Sequence, residues 1–223
     1  MCGRYTLTIP LEELAEAFPD FTPPPSLKPR YNIAPTQEIP VVANNGQRQI
    51  EFFRWGLVPF WAKDASIGNR MINARAETLA EKPSFRNAYR RRRCLILADG
   101  FYEWRKEPDR KAKTPVLVRL ASGEPFAFAG LWEVWQPGDA PLLSCTIITT
   151  EPNDLVAELH NRMPVILPRE AYDRWLAPEE QEPDALQELL APYPADAMVA
   201  YPVSQMVNNP ANDLPQCIEP LAE

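Results

Sequence analysis

Residues 94–105 read CLILADGFYEWR and contain two short runs of apolar and aromatic residues. Runs of this length and composition are typical of β-strands, so we predict strands over residues 94–98 and 101–105. Similar runs predict further strands at residues 39–43, 49–55, 116–120, 126–130, 144–149 and 199–203.

Helices are predicted at residues 11–18, within 78–93, and at 153–160, 169–176 and 184–190, several of them preceded by Pro or Thr. Strands and helices do not alternate regularly. This order favours an α+β fold, with a mainly antiparallel, β-barrel-like core and flanking short helices, over a doubly wound parallel sheet. The 26 prolines indicate many rigid loops, and residues 22–29 and 178–183 are predicted as surface loops, so we expect one domain over residues 1–223.

The charge is distributed unevenly along the chain. The net charge of −7 would by itself argue against a nucleic-acid partner. Residues 1–113, however, carry 19 of the 23 basic residues and 13 of the 30 acidic ones, a balance of +6, whereas residues 114–223 have a balance of −13. The first half can therefore form a basic face, although scattered, solvated charge is the plain alternative.

No run of about 18 apolar residues is long enough to span a bilayer, and the N-terminus does not resemble a signal peptide. We therefore expect a cytoplasmic protein, associated with the nucleoid if the source is bacterial, and no membrane partner. The four cysteines have no Cys-x-x-Cys spacing, which suggests neither a zinc site nor a disulfide framework.

Cys2 is the sharpest chemical feature, because methionine aminopeptidase generally removes Met1 before so small a residue. The new terminus would carry an amine and a thiol on adjacent carbons. An α-amine has a pKa of about 8, against about 10.4 for lysine, so part of it is neutral and nucleophilic near pH 7. With an aldehyde, the amine forms a Schiff base that the thiolate closes into a thiazolidine. The alternative is an ordinary cysteine near a frayed terminus, and retention of Met1 would close the thiazolidine route.

Three further segments contain candidate catalytic side chains. Asn73 and Arg75 lie in a stretch of small apolar residues, where the amide can orient a nucleophile and the guanidinium can hold a phosphate. Glu103 lies between aromatic residues, which can desolvate its carboxyl group and raise its pKa. His160 is the single histidine and is the natural acid or base near pH 7. A capped loop, a solvated strand face and a structural histidine are the respective alternatives.

Possible nucleic-acid contacts surround these segments. They comprise Arg4, the predicted turn at residues 31–35 with Asn32 and Pro35, and the aromatic pair Phe60 and Trp61. Exposed aromatic rings stack on unpaired bases. Core packing is the alternative for the aromatic pair. We interpret the basic run at residues 90–93 as a solvated helix end and only weakly as a DNA contact.

Six motifs occur in an order that resembles the SOS response-associated peptidase (SRAP) family. In sequence order they read MCGR (1–4), YNIAP (31–35), WG with a later Pro and Trp (55–61), INAR (72–75), DGFYEW (99–104) and HNRMP (160–164). The resemblance covers most of the chain. It implies a sensor and shield of abasic sites in single-stranded DNA, built on a β-barrel-like core, with no metal or organic cofactor.

The resemblance also implies roles for individual residues. Cys2 would form the crosslink, Asn73 would position it, Glu103 would transfer protons and His160 would assist sugar-ring opening and reversal. The implied phosphate contacts are Arg4, Arg75, Arg162 and Thr149. Phe60 and Trp61 would form a wedge that keeps the complementary strand away.

Other functions remain open at this point. One is a cysteine peptidase or autoprotease that uses Cys2 and His160, and another is an N-terminal-nucleophile amidotransferase, although its glutamine-binding signatures are not apparent. A third is a noncovalent reader of modified or single-stranded DNA. We expect a monomer, and the sequence does not identify a partner in the replication machinery.

Overall fold

The computed structural model describes residues 2–107 and 112–221. In these ranges the strands are β1 (Tyr5–Leu7), β2 (Arg30–Ile33), β3 (Glu38–Ala43), β4 (Ile50–Trp55), β5 (Asn73–Arg75), β6 (Arg93–Ala98), β7 (Gly100–Arg105), β8 (Thr114–Leu120), β9 (Phe126–Trp135), β10 (Leu142–Thr150), β11 (Met163–Pro164), β12 (Ile166–Leu167) and β13 (Met198–Pro202). The α-helices are α1 (Leu11–Ala17), α2 (Arg86–Arg91), α3 (Asp154–Ala157), α4 (Tyr172–Trp175) and α5 (Pro183–Leu186). Short 3₁₀ turns supplement them, and no helix in these ranges could cross a membrane.

Five strands close into a barrel in the order β10-β4-β3-β6-β9 and back to β10. The β4–β10 pair is parallel and the other four pairs are antiparallel. Strand β5 adds to β10 in parallel, while β11 and β12 pair with β10 and β9. The predicted α+β fold with a mainly antiparallel, barrel-like core is therefore confirmed. The prediction of one domain stays a prediction.

A second, antiparallel sheet has the order β13-β8-β7-β1-β2 and packs on the barrel through aromatic rings. The ring of Tyr5 on β1 lies 5.3 Å from Trp55 and 5.8 Å from Phe128, both of which belong to barrel strands. Edge-to-face pairs of this kind stabilise the fold beyond what the burial of their apolar area contributes. The two sheets thus share one buried core.

The stretch at residues 94–105 connects the barrel to the second sheet. Strand β6 ends at Ala98, β7 begins at Gly100, and the Asp99 carboxylate between them accepts hydrogen bonds from the Thr6 hydroxyl at 2.6 Å and the Thr8 backbone N–H at 2.6 Å. A Cβ on Gly100 would lie 2.8 Å from the Thr6 hydroxyl oxygen, so the close approach requires glycine. The chain thus passes within one residue from the barrel strand β6 to β7 of the second sheet, the strand that carries Glu103.

All eight predicted strands occur with shifted bounds. Four predicted helical segments contain a shorter α-helix, and the fifth, 184–190, overlaps α5 and the 3₁₀ turn that follows it. One local prediction is wrong, because residues 31–33 of the predicted turn at 31–35 belong to strand β2. The cause is a contact distant in sequence. Asp213 accepts the backbone N–H groups of Tyr31 and Asn32 at 2.6 and 2.9 Å and pairs with Arg30.

The interpretation of the basic run at 90–93 as a solvated helix end is wrong for its last member. Arg93 is fully buried at the start of β6. Its guanidinium donates to the backbone carbonyls of five residues, namely Tyr89, Arg90, Trp175, Ala177 and Glu179. A buried cation is tolerated when its donors are satisfied in this way, so Arg93 ties helix α2 to the segment after α4.

Candidate active site

The N-terminal segment lies beside β7. Strands β1 and β7 pair in antiparallel register with Tyr5 opposite Phe101, and the Tyr102 N–H donates to the Arg4 carbonyl at 2.9 Å. Continuing this register places Gly3 opposite Glu103, and the neighbouring Cys2 is close enough to feel the charge of that carboxyl group. The pairing of two strands therefore brings together a thiol and a carboxyl group that are 101 residues apart in the sequence.

The Cys2 side chain is fully buried. Burial raises the pKa of its thiol well above the ordinary value, and the negative charge of Glu103 raises it further. The sulfur lies 3.9 Å from the Arg4 carbonyl oxygen. The thiol is therefore protonated near pH 7 and needs a nearby base before it can act as a nucleophile.

Glu103 can supply that base. Its side chain is only 2% exposed, and burial raises the pKa of the carboxyl group to about 7. A group with this pKa is present in both protonation states near neutral pH, which suits it to accept and return a proton. The sequence prediction of a desolvated carboxyl group on a strand agrees with this environment.

His160 follows α3, whose first turn is capped by the Asn153 side chain accepting the Val156 N–H at 2.9 Å. The Nδ1 atom of His160 accepts the Arg162 backbone N–H at 3.0 Å. Because Nδ1 is an acceptor, the neutral ring carries its proton on Nε2. Burial lowers the pKa of His160, so the ring is mainly neutral at pH 7 and can donate from Nε2.

Asn73 begins β5, beside Ile147 of the barrel strand β10. The carbonyl of the preceding Ile72 accepts both the Trp55 indole N–H at 2.9 Å and the Ile147 N–H at 3.1 Å, which fixes the backbone at this point. The oxygen and nitrogen of the Asn73 side-chain amide are buried and lack hydrogen-bond partners among the described residues. Unsatisfied buried polar atoms are costly and uncommon, so a functional role is one explanation for their presence here.

A groove of about 470 Å³ adjoins His160, and its lining includes Trp104, Lys113 and Asn161. After the dominant effect of burial, the positive charge of Lys113 lowers the pKa of both Glu103 and His160. Sequence reasoning missed Lys113 and Trp104 as site residues. The signal for Trp104 was its position next to Glu103, whereas nothing in the sequence distinguishes Lys113 from other lysines.

Phe60 and Trp61 lie on the surface, with 59% and 48% of their areas exposed, and so are not core residues. Their turn follows β4. At its base Gly56 has a φ of +129°, and a Cβ on Gly56 would lie 2.6 Å from the Gly68 carbonyl oxygen. Two glycine backbones thus pack directly together, which fixes the aromatic turn against the segment 65–70.

The predicted DNA-contact residues differ in exposure. Arg75 is exposed and Pro35 is half-buried, whereas Thr149 is buried and its hydroxyl donates to the Ala74 carbonyl at 3.5 Å. Arg162 is mostly covered. Asn32 has no exposed surface at all.

The Asn32 side chain holds Arg4. Nη1 of Arg4 donates to Asn32 Oδ1 at 2.7 Å and to the Val207 carbonyl at 2.6 Å, and the guanidinium lies 5.9 Å from the centre of the Trp104 ring. The Asn32 amide nitrogen also donates to the Asn212 carbonyl at 2.6 Å. In this conformation Asn32 can influence DNA only through Arg4.

The same barrel occurs in solved structures. One from Bacteroides thetaiotaomicron superposes with a TM-score of 0.87 at 25% identity, covering 99% of this chain and 100% of the other. Another from Bordetella bronchiseptica has a TM-score of 0.78 at 28% identity, covering 91% and 100%. The chain therefore shares its fold with a class of proteins whose structures have been solved.

Residues 1–210 match the family model described as SOS response associated peptidase (SRAP), and the chain belongs to this family. The abasic site processing protein YoqW of Bacillus subtilis is 51% identical over 98% of this chain and 99% of its own length. The abasic site processing protein HMCES of Mus musculus is 31% identical over 99% of this chain and 76% of its own. The resemblance inferred from six motifs is confirmed at the level of the family.

Proposed function

We propose that this protein processes abasic sites and, more specifically, captures them in single-stranded DNA through a covalent bond to Cys2. The observation that carries the proposal is the electrostatic contact between the Cys2 thiol and Glu103, a buried carboxyl group with a pKa of about 7. The names of the relatives support the substrate class. No cofactor is invoked.

The proposed reaction uses the ring-opened deoxyribose, whose C1′ is an aldehyde. After Met1 is removed, the Cys2 amine attacks C1′ and one water leaves, which gives a Schiff base. The Cys2 sulfur then bonds to the same carbon, the C=N double bond becomes single, and the thiol proton moves to the nitrogen. The product is a thiazolidine, and the net change is loss of one water.

The side chains around Cys2 have distinct tasks in this scheme. Glu103 takes a proton from the attacking amine or thiol and returns it to the leaving hydroxyl. His160 donates its Nε2 proton to the sugar-ring oxygen as the ring opens. The Asn73 amide has two polar atoms without partners among the described residues. It forms a hydrogen bond to the sugar or to the new amine of Cys2.

The proposed reaction concerns the form of the chain from which Met1 has been removed, so that Cys2 is the first residue. In that form the α-amine replaces the amide nitrogen of the Met1–Cys2 bond, and a free amine is the nucleophile that the first step requires.

The DNA strand is proposed to pass the exposed Arg75 and the guanidiniums of Arg4 and Arg162, which pair with phosphates. Phe60 and Trp61 stack on a base next to the lesion, and so large an exposed aromatic pair would collide with a complementary strand. Asn32 and Thr149 act indirectly. Asn32 holds Arg4 through its side-chain oxygen, and the Thr149 carbonyl accepts a hydrogen bond from Arg162.

The test is to mix the mature protein with a single-stranded oligonucleotide that holds one abasic site and to analyse the denatured mixture by mass spectrometry. We expect an adduct on Cys2 that resists denaturation. Cys2→Ala should abolish it, whereas Cys217→Ala, which removes another buried thiol, should not. Glu103→Gln, His160→Ala and Asn73→Ala should slow adduct formation.

The same experiment separates the alternatives. A noncovalent reader would keep its affinity after Cys2→Ala and form no adduct in any variant. A protein with one extra residue before Cys2 retains the thiol but lacks the amine at that position. If this extended protein formed the adduct at the parental rate, the amine step would be wrong.

A further inference from the structure

Arg162 is held by a carboxylate on its solvent side. Its Nη1 donates to Glu77 Oε1 at 2.6 Å and its Nη2 to Glu77 Oε2 at 2.9 Å, a bidentate ion pair. Nη2 also donates to the Thr149 carbonyl. A guanidinium fork accepts a carboxylate and a phosphate with the same planar geometry, so one group can replace the other.

The two partners are unequally exposed. Half of the Glu77 side chain is open to solvent, against 15% of the Arg162 side chain. The carboxylate therefore covers the edge of the guanidinium from which an anion would approach. Arg162 Nε is buried and has no partner among the described residues, so the cation retains an unused donor.

We propose that Glu77 occupies the position that a DNA phosphate takes at Arg162 and that the phosphate must displace it. This inference rests on the proposed function, since it concerns the same DNA path. Every strand that binds must first break the Glu77–Arg162 pair. Glu77 therefore weakens binding to any single strand and leaves more of the selectivity to the reaction at the abasic site.

Two properties of the pair support an exchange. The hydrogen bonds from Arg162 lower the pKa of Glu77, so the carboxylate is charged near neutral pH and competes as an anion. Half of the Glu77 side chain already contacts solvent, and an ion pair with such a solvated partner contributes little to stability. A multiply charged strand can therefore break the pair without a large cost.

The test measures noncovalent binding in the Cys2→Ala background, where no crosslink forms, by fluorescence anisotropy with an unmodified single-stranded oligothymidylate. We expect Glu77→Gln to bind roughly twofold to fivefold more tightly, because the pair no longer has to be broken. The gain should disappear when Arg162→Gln is also present. That substitution retains the backbone N–H that donates to His160.

Glu158→Gln is the matched control, because Glu158 is an exposed acid on the lining of the groove. It should raise affinity by the same factor with or without Arg162, as expected of a general charge effect. Glu77→Asp keeps the charge but shortens the side chain by one methylene group. We expect it, too, to bind more tightly than the parent.

Unchanged or weaker binding by Glu77→Gln would overturn the exchange, and so would a gain that persists with Arg162→Gln. These results are independent of covalent chemistry, because the background lacks Cys2. Conversely, absence of an adduct in the parent protein would contradict the proposed function while leaving the binding comparison interpretable.

Discussion

Replacing Glu103 by glutamine should make the protein more stable at high pH while slowing its reaction. The carboxyl group is buried, and burial raises its pKa from the ordinary value of 4.5 to about 7. Folding therefore favours the protonated form. The stability that depends on this proton is fully present below pH 4.5 and is lost as the pH rises to about 7, since the unfolded chain ionises first.

The size of the effect follows from the shift. One pKa unit corresponds to about 1.4 kcal/mol. The rise in the pKa of Glu103 from 4.5 to about 7 therefore lowers the free energy of unfolding by roughly 3 kcal/mol at pH 8. Relaxation and water entry around a buried charge make this an upper bound. Glutamine resembles the protonated acid and does not ionise. The free energy of unfolding of Glu103→Gln should therefore exceed that of the parent by about 1 to 3 kcal/mol at pH 8, and the two values should be closer at pH 4.5.

Urea unfolding of parent and variant at pH 4.5 and pH 8 measures this difference. Glu77→Gln serves as a control with the opposite sign, because Arg162 lowers the pKa of Glu77. That variant should be less stable than the parent at pH 8, and the difference should fade as the pH drops below the ordinary carboxyl range. If the stability difference for Glu103→Gln did not change with pH, the assignment of a desolvated, ionisable carboxyl group would be refuted.

Two of the three further predictions concern the scaffold, and one concerns the proposed DNA contact. Gly56→Ala should destabilise the protein by about 2 kcal/mol or more in denaturant unfolding, because its Cβ would meet a backbone carbonyl, whereas Gly138→Ala should have little effect since nothing lies within 4 Å. Alanine at Phe60 and Trp61 should change the free energy of unfolding by no more than about 0.5 kcal/mol, because both side chains are exposed. Each substitution should weaken binding of single-stranded DNA by roughly 1 to 3 kcal/mol, and unchanged affinity would exclude stacking. Arg93→Leu should cost about 3 kcal/mol or more, because several buried carbonyls lose their donor; a neutral result in thermal unfolding would contradict this account.

Much of the fold was readable from local patterns. The runs at residues 94–98 and 101–105 became β6 and β7 because a β-branched, aromatic or aliphatic run favours an extended, buried backbone wherever it occurs. The strands that were not predicted are short. Strand β2 depends on Asp213 and β5 on pairing with β10, and contacts so distant in sequence leave no local pattern.

The features of the candidate site can also be separated into those set by the sequence and those set by the tertiary structure. The sequence by itself determined which chemical groups are available, including the aminothiol at Cys2, and the family motifs singled out Glu103, His160 and Asn73. Only the tertiary structure decided that β1 and β7 align, that Glu103 is desolvated enough to raise its pKa, and that Arg162 is held by Glu77. Side-chain chemistry is a property of each residue, whereas distance, burial and ion pairing arise only when remote segments pack together.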